Sequence, residues 1–389
     1  MKNHKRKVFI VGPFKFPWGA ANSRRVYGLA KSFSNIGADV SVICGNTEHK
    51  LEQMENEENI NFAGVNKYKN KFVNLVDRVV FQHVFGIINL IKKDNLYKES
   101  TIVVYGGHGV FSLVLLCWSF FNRTKLVADV VEWFDPHQLR GGPFGFMHLN
   151  AKFALKFLYP LFDGVIAISS WLSNRYKSKG GKLVTLPPMI EVKPFKTTGC
   201  FSKDSLKLIY AGSPGIKDEL NTVISAVNNI NCGSNLVELL ILIPHKKYLN
   251  NLKNIDGNSI KVEVGVSHHD IHDYVGSADF SIVIRESKIF TNAGFSTKFV
   301  ESLAAKTPVI ANLTSDLGKY LIDTENGFVV NSTSSEDIEA VIRKAQLLSQ
   351  EELIIMSKNA EFTAQRFFSF SSYSDEIERF FKSLEEDNV

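Results

Sequence analysis

The residues Gly294–Ile310, reading GFSTKFVESLAAKTPVI, constrain this chain more than any other stretch. Ser296 or Thr297 is placed to cap a helix, because a short hydroxyl side chain accepts from a first-turn N–H. Phe299, Val300 and Leu303 give that helix an apolar face, and Glu301 falls outside it. Thr307-Pro308 stops the helix, and Val309-Ile310 begins a short buried strand. Such a helix start offers N–H groups and a partial positive charge that suit an anion. Gly294 has access to backbone conformations closed to other residues. The same residues also describe an ordinary αβ unit with Glu301 in solvent, and both readings stay open on this stretch alone.

The alternation of short apolar strands, Gly-rich loops and helices extends along the chain. Lys7–Val11 reads as a strand, Pro17–Ala21 as part of a loop, Ser23–Ile36 as a helix and Val40–Ile43 as a second strand. This is a Rossmann-type opening without G-x-G-x-x-G, in which Gly19 lets backbone approach a ligand closely. Ile102–Tyr105, Leu126–Val131, Val165–Ile168 and Leu183–Leu186 continue the strands. Leu206–Tyr210 restarts the pattern, followed by Leu239–Ile243 and Ser281–Ile284. A chain of 389 residues is too long for one ordinary core and fits two such domains.

Polar residues at the carboxyl ends of parallel strands point to the crevice where open α/β sheets bind ligands. Asp129 and Glu132 stand at one such end, with Glu132 suited to assist or orient an acceptor hydroxyl. Arg285 and Glu286 stand at another; a guanidinium there fits a phosphate with two parallel bonds. Lys217 sits in the loop Ala211–Asp218 before a helix, where lysine and loop amides make a diphosphate cradle. His108 lies among glycines after a strand. Glu48–Asn74 reads as a polar loop. Leu75–Lys93 reads as one amphipathic helix, packed on the sheet or touching a membrane. Val110–Phe121 has 12 residues, too few to span a bilayer, and reads as a buried helix. Phe367–Leu384 reads as the terminal helix.

Composition narrows the partners. The four cysteines, Cys44, Cys117, Cys200 and Cys232, are widely spaced, against a disulfide framework or zinc site and for a reducing compartment. The basic start leads into an apolar run too short for a secretory signal. The net charge of +5 is uneven: residues 1–190 carry 25 Lys/Arg against 13 Asp/Glu, and residues 191–389 carry 20 against 27. A basic first half suggests an anionic partner. No basic helix with interleaved aromatics points to nucleic acid. An anionic membrane surface or a lipid-diphosphate acceptor fits better. The histidines in Ser267–Asp273 fall at the start of a helix and read as exposed, so no metal site is expected.

The run S-T-K-F-V-E-S-L-A-A-K-T-P-V-I resembles the donor-binding signature of the family 4 (group 1) glycosyltransferases. P-W-G-A-A-N-S-R-R and the loop with Lys217 resemble further family segments, in order along almost the whole chain. The resemblance implies the GT-B fold: α/β, two Rossmann-like domains facing across a cleft, with a C-terminal helix crossing back to the first. Residues 1–192 would form the acceptor domain, 193–366 the nucleotide-sugar domain and 367–389 the returning helix. It implies retaining transfer of a sugar from a UDP- or GDP-sugar to a glycan or lipid-diphosphate-linked acceptor, without cofactor or metal. The enzyme would be cytoplasmic or peripheral on the cytoplasmic membrane, in bacterial surface-polysaccharide assembly. Gly19, Lys217, Gly294, Ser296, Thr297, Lys298 and Glu301 are the matching donor positions. The chain departs from the pattern twice. No arginine precedes Lys217 in its loop, leaving Arg285 as substitute, and Ala293 stands where the signature has its first glutamate, leaving Glu286 or a backbone carbonyl. A nucleotide-sugar epimerase and a non-catalytic glycan-binding or scaffold relative are the alternatives.

Overall fold

The structure is a computed structural model and describes residues 5–17, 21–46, 55–57, 60–65, 68–94, 97–136, 139, 141–177, 182–192, 205–232, 236–255 and 259–386. The chain divides into two compact units, Met1–Met189 with Tyr373–Val389, and Ile190–Ser372. The expected linker around Pro194–Asp204 lies outside the described residues, as does Gly19.

The first unit holds eight strands: β1 (Lys7–Lys15), β2 (Asp39–Asn46), β3 (Glu55–Glu57), β4 (Ile60–Gly64), β5 (Thr101–Tyr105), β6 (Lys125–Val130), β7 (Gly164–Ala167) and β8 (Lys182–Thr185). Their order is β3-β4-β2-β1-β5-β6-β7-β8, parallel except for β3. Val8–Val11 and Ile102–Val104 are fully buried, as continuous apolar runs must be when helices cover both faces. From β1 the chain runs to β2 on one side, then returns to β5 on the other. Right-handed crossovers therefore place Ala21–Asn35 on one face of the sheet and Val84–Ile91, Gly109–Asn122 and Phe146–Phe153 on the opposite face.

Four expectations need correction here. The polar stretch 48–74 contains β3 and β4, with β4 recruited by pairing Ser41–Cys44 of β2 to Asn61–Gly64. The stretch 75–93 is not one helix. Lys71–Val76 passes into a π-helical turn, Asp77–Phe81, and the left-handed residues Gln82 (φ 51°) and His83 (φ 66°) break it before Val84–Ile91. Tertiary bonds hold that break: His83 Nδ1 meets Asp77 Oδ2 at 2.5 Å, and the Gln82 side chain accepts from His108 N at 3.0 Å. The helix Gly109–Asn122 is not wholly buried. Phe111 and Leu115 enter the core, while Leu113, Cys117, Phe120 and Phe121 face solvent. Among the described residues no helix is long and apolar enough to cross a membrane.

The fourth correction concerns the end of the chain. Phe367–Leu384 forms parts of two helices, Gln350–Phe368 and Ser374–Glu385. The serine-rich break lets hydroxyls bond locally in place of the helical ladder, Ser369 Oγ meeting Ser372 Oγ at 2.8 Å. The last helix completes the first unit. Phe381 meets Phe33 edge-on at 5.1 Å, Phe380 packs where Gly164 leaves no room for a Cβ, and Arg6 bonds Glu378 at 2.9 Å and Glu385 at 2.7 Å.

The second unit holds β9 (Leu206–Ala211), β10 (Val237–Ile243), β11 (Ile260–Val264), β12 (Phe280–Val283), β13 (Val309–Asn312) and β14 (Gly327–Val330). The order is β11-β10-β9-β12-β13-β14, all parallel. Its main core sits between the sheet and the helices Leu220–Ile230 and Ser335–Gln346, around Ile241, Phe280 and Ile342. Phe368, at the end of Gln350–Phe368, packs edge-on against Phe299 and tilts against Tyr320 at 4.8 Å.

Candidate functional site

In the second unit the chain leaves β9 through Leu220–Ile230 to β10 on one side. It later reaches β12 on the other side through His268–Gly276. The crossovers diverge at β9, so the carboxyl ends of β9 and β12 form a topological switch point, where open α/β sheets bind ligands. Three segments meet there: the loop 212–219 after β9, residues 284–288 after β12, and the start of helix Thr297–Ala304.

Backbone contacts fix the two loops before any side chain acts. Asp218 and Arg285 form an isolated antiparallel bridge, and Glu219 N donates to Ile284 O at 2.9 Å. Asn312, the last residue of β13, clasps Arg285 from the other side. Its Oδ1 accepts from Arg285 N at 2.8 Å, and its Nδ2 donates to Arg285 O at 2.7 Å.

Asp218 is the hub of the side chains. Its Oδ2 accepts from Lys298 Nζ at 2.9 Å and from the Tyr210 hydroxyl at 3.0 Å. Lys298 also donates to the Tyr210 oxygen at 2.7 Å, with its ammonium 4.2 Å from the ring centre. Arg285 Nε lies 3.7 Å from Asp218 Oδ1. Two cations from separate segments thus converge on one carboxylate. Burial lowers the Lys298 pKa from the ordinary lysine value, and the charges of Asp218 and Glu301 offset part of that. Burial, with the Asp218 charge and hydrogen bond behind it, holds the Tyr210 phenol protonated well above the usual range. Gly212 makes room for this cluster: its φ is 147°, and a Cβ there would lie 2.4 Å from Lys298 Cε.

Of the sequence-predicted donor residues, the structure brings Lys298 and Arg285 together, with half-buried Glu301 one turn along the helix from Lys298. Lys217 sits beside Asp218 with its ammonium 5.9 Å from the Phe290 ring centre. Ser296 is the N-cap residue of Thr297–Ala304, yet its side chain makes no cap bond, so it covers none of the first-turn N–H groups. The special backbone expected of Gly294 is not used: with φ −81° and ψ −173° it is extended, and its carbonyl accepts from Ser315 Oγ. Glu286 pairs with Lys288 at 2.7 Å on an exposed turn, outside the Asp218 cluster. Ala293, at the place of the missing glutamate, is fully buried. Sequence reasoning missed Tyr210, Gly212, Asp218 and Asn312. The available signal was Asp218 itself, a carboxylate placed directly after the lysine of a phosphate-type loop.

The first unit has its own switch point at the carboxyl ends of β1 and β5. Asp129, expected near the acceptor, is instead locked in a buried two-point pair: its Oδ1 meets Arg25 Nη2 at 2.8 Å and its Oδ2 meets Arg25 Nε at 3.2 Å. Arg25 Nη1 also donates to the carbonyls of Leu186 and Pro187 at 2.8 and 2.7 Å. Glu132 lies half-buried just past β6, and its charge, after burial and that of Asp129, helps raise the Tyr105 pKa. His108 holds the N-cap position of Gly109–Asn122 without a side-chain cap bond and meets the Phe134 ring edge-on at 5.9 Å. Burial lowers its pKa and keeps it neutral near pH 7. Among the described residues no group of three or more His, Cys, Asp or Glu is arranged to hold a metal ion.

Residues 201–363 match the model of the glycosyl transferases group 1 family. No individual curated protein sequence matches the chain. Solved structures share the fold over nearly the full length. Sucrose-phosphate synthase from Thermosynechococcus elongatus superposes with a TM-score of 0.71 at 14% identity, covering 98% of this chain and 100% of that one. HepE from Anabaena, solved in complex with UDP and glucose, gives 0.69 at 15% identity, covering 97% and 100%. WaaG, a glycosyltransferase involved in lipopolysaccharide biosynthesis, gives 0.63 at 13% identity, covering 95% and 99%. The chain has the GT-B fold, built from two Rossmann-like domains, and its residues 201–363 are similar to the glycosyl transferases group 1.

Proposed function

We propose that this enzyme moves a sugar, with retention of configuration, from a UDP- or GDP-sugar to a lipid-linked or glycan acceptor in bacterial surface-polysaccharide synthesis. The observation that carries the reading is the convergence of Lys298 and Arg285 on Asp218 at the second unit's switch point. The donor diphosphate bonds these two cations, Lys217 and the first-turn amides of Thr297–Ala304, and the ribose hydroxyls bond Glu301. Departure of the nucleotide diphosphate is the step assisted. Fixed cations and a helix dipole stabilise its growing charge without a metal ion or a protein nucleophile, which accommodates alanine at position 293. The acceptor binds the first unit, where Glu132 orients its hydroxyl and Asp129 acts only through Arg25. The UDP in the HepE structure and the lipopolysaccharide role of WaaG support the nucleotide and the pathway.

The test is release of nucleotide diphosphate from a panel of UDP- and GDP-sugars, with and without a lipid-diphosphate acceptor. Acceptor-dependent release is expected, and Glu301→Ala should lose it while keeping its melting temperature. Turnover of a donor to its epimer without any acceptor would replace this reading with an epimerase. Unchanged turnover in both Glu301→Ala and Lys298→Met would remove the donor site.

A further inference from the structure

We propose that Trp133 and Trp171 form a stacking platform for one pyranose ring of a glycan acceptor. The proposal rests on the transferase reading above and names the chemistry that its acceptor half recognises. β6 and β7 run side by side with Val130 opposite Ala167, and Ile168 N donates to the Val130 carbonyl at 3.0 Å. The segments that follow therefore leave the sheet at the same carboxyl edge, where open α/β sheets bind ligands. One segment brings Trp133 directly after Glu132. The other opens the helix Ser170–Lys177, with Trp171 in its first turn. The two indoles meet with ring centres 5.7 Å apart and planes at 63°. Arg175, one turn beyond Trp171 on the same helix, lays its guanidinium carbon 4.3 Å from the centre of the Trp133 ring. Phe134 extends the aromatic surface toward His108.

These rings are not core. Both tryptophans are half-buried and Arg175 is exposed. Among the described residues neither indole N–H has a hydrogen-bond acceptor, so both donors are left for a ligand. Ring geometry identifies that ligand. A flat nucleobase is held best between parallel rings, whereas planes at 63° make a corner. A chair-shaped pyranose fills a corner. Its axial C–H groups, slightly positive, lie on the negative face of one indole, and the hydroxyls at its rim reach outward. Those hydroxyls meet the Glu132 carboxylate as acceptor, and the Arg175 guanidinium and the indole N–H groups as donors. An acyl chain would cover the same donors and satisfy none of them. Arg175 already braces Trp133, so less side-chain freedom is lost when a sugar binds.

The experiment is saturation-transfer NMR of the full chain with methyl glycosides of glucose, galactose, mannose and N-acetylglucosamine, with binding of UDP and GDP read in parallel. At least one glycoside should receive saturation, strongest at the C–H groups of one ring face. Trp171→Leu and Trp133→Leu keep apolar bulk and remove the ring face. Each should weaken glycoside binding about fivefold or more, with the melting temperature close to the parental value. Two positions are changed so that loss of folding at one leaves the other to decide. Trp171→Phe, which keeps a ring, should retain most of the binding. No saturation of any glycoside, or equal binding by Trp171→Leu and Trp171→Phe, overturns the proposal. So does uridine or guanosine that competes with the glycoside, which would make the corner a base subsite. If glycoside binding fails while UDP or GDP binds and Glu301→Ala abolishes that binding, the platform is wrong and the donor site stands. If glycosides bind through the two tryptophans while neither nucleotide binds, the rings hold sugar and the transferase reading falls.

Discussion

The two units share a crossover plan and use charge at their switch points in opposite ways. In the first unit Arg25 and Asp129 are almost wholly enclosed, satisfy each other at two points, and spend the remaining guanidinium donors on Leu186 and Pro187 carbonyls. In the second unit one carboxylate, Asp218, is approached by Lys298 and Arg285, both still partly accessible. The closed pair ties β6 to the helix Ala21–Asn35 and to the segment after β8. The second cluster leaves the Arg285 and Lys298 side chains 11% and 19% exposed at the strand ends, against 3% for Arg25. Topology chooses where a site can be; the degree to which charges satisfy one another decides whether the place is used for holding or for binding.

That contrast breaks most readily at Arg25. Arg25→Met leaves Asp129 buried without its cation, and the loss should be about 3–5 kcal/mol, read as a lower urea midpoint for the first unit. A loss below about 1 kcal/mol would show that solvent reaches the pair. Lys298→Met tests the other side. It should lower donor turnover roughly 10- to 100-fold, the value of a charge-assisted hydrogen bond, with little change in melting temperature. A fall in stability as large as that of Arg25→Met would make the two clusters alike. Gly212→Ala sharpens the comparison further. A side chain at φ 147° and 2.4 Å from Lys298 Cε should cost about 1–3 kcal/mol and should also raise the KM for donor.

The smallest effect belongs to the surface pair of Arg6 and Glu378. The hydrogen bond from Arg6 lowers the Glu378 pKa below the ordinary carboxylate value, against a smaller opposing effect of burial. A depressed carboxylate stabilises the fold above its unfolded pKa and loses that contribution as pH falls through the folded pKa. Glu378→Gln should therefore cost less than about 1 kcal/mol at pH 7, given its solvent exposure, and nothing once the pH is well below 4. Melting curves of parent and variant should converge on acidification.

Much of the second unit was legible because its strands are apolar runs, such as Leu239–Ile243, and its helix at Thr297 carries start and stop signals in sequence. Lys298 and Arg285 were legible as cations at helix and strand ends. Asp218 as their hub was not, because Tyr210, Asp218, Arg285 and Lys298 become neighbours only when three crossovers are in place. Gly294 misled because a glycine permits left-handed backbone without requiring it. The first unit was harder. Gln82 and His83 carry no sequence mark of left-handed backbone, and it is Asp77 and the His108 amide that hold them there. The helix Gly109–Asn122 was read as buried because composition reports that a side is apolar and not whether a neighbour exists to cover it.

The last helix gives the polypeptide an unusual order of completion. Residues 373–389 belong to the unit that is synthesised first, where Phe381 and Phe380 close over Phe33 and Gly164. During translation the first unit emerges before the second and must wait, with those surfaces bare, until residues beyond Ser372 have been made. The second unit, contiguous from Ile190 to Ser372, meets no such delay. A nascent chain stalled short of residue 373 would thus carry a finished second unit behind an unclosed first one, exposed to chaperones and proteases until the closing helix arrives.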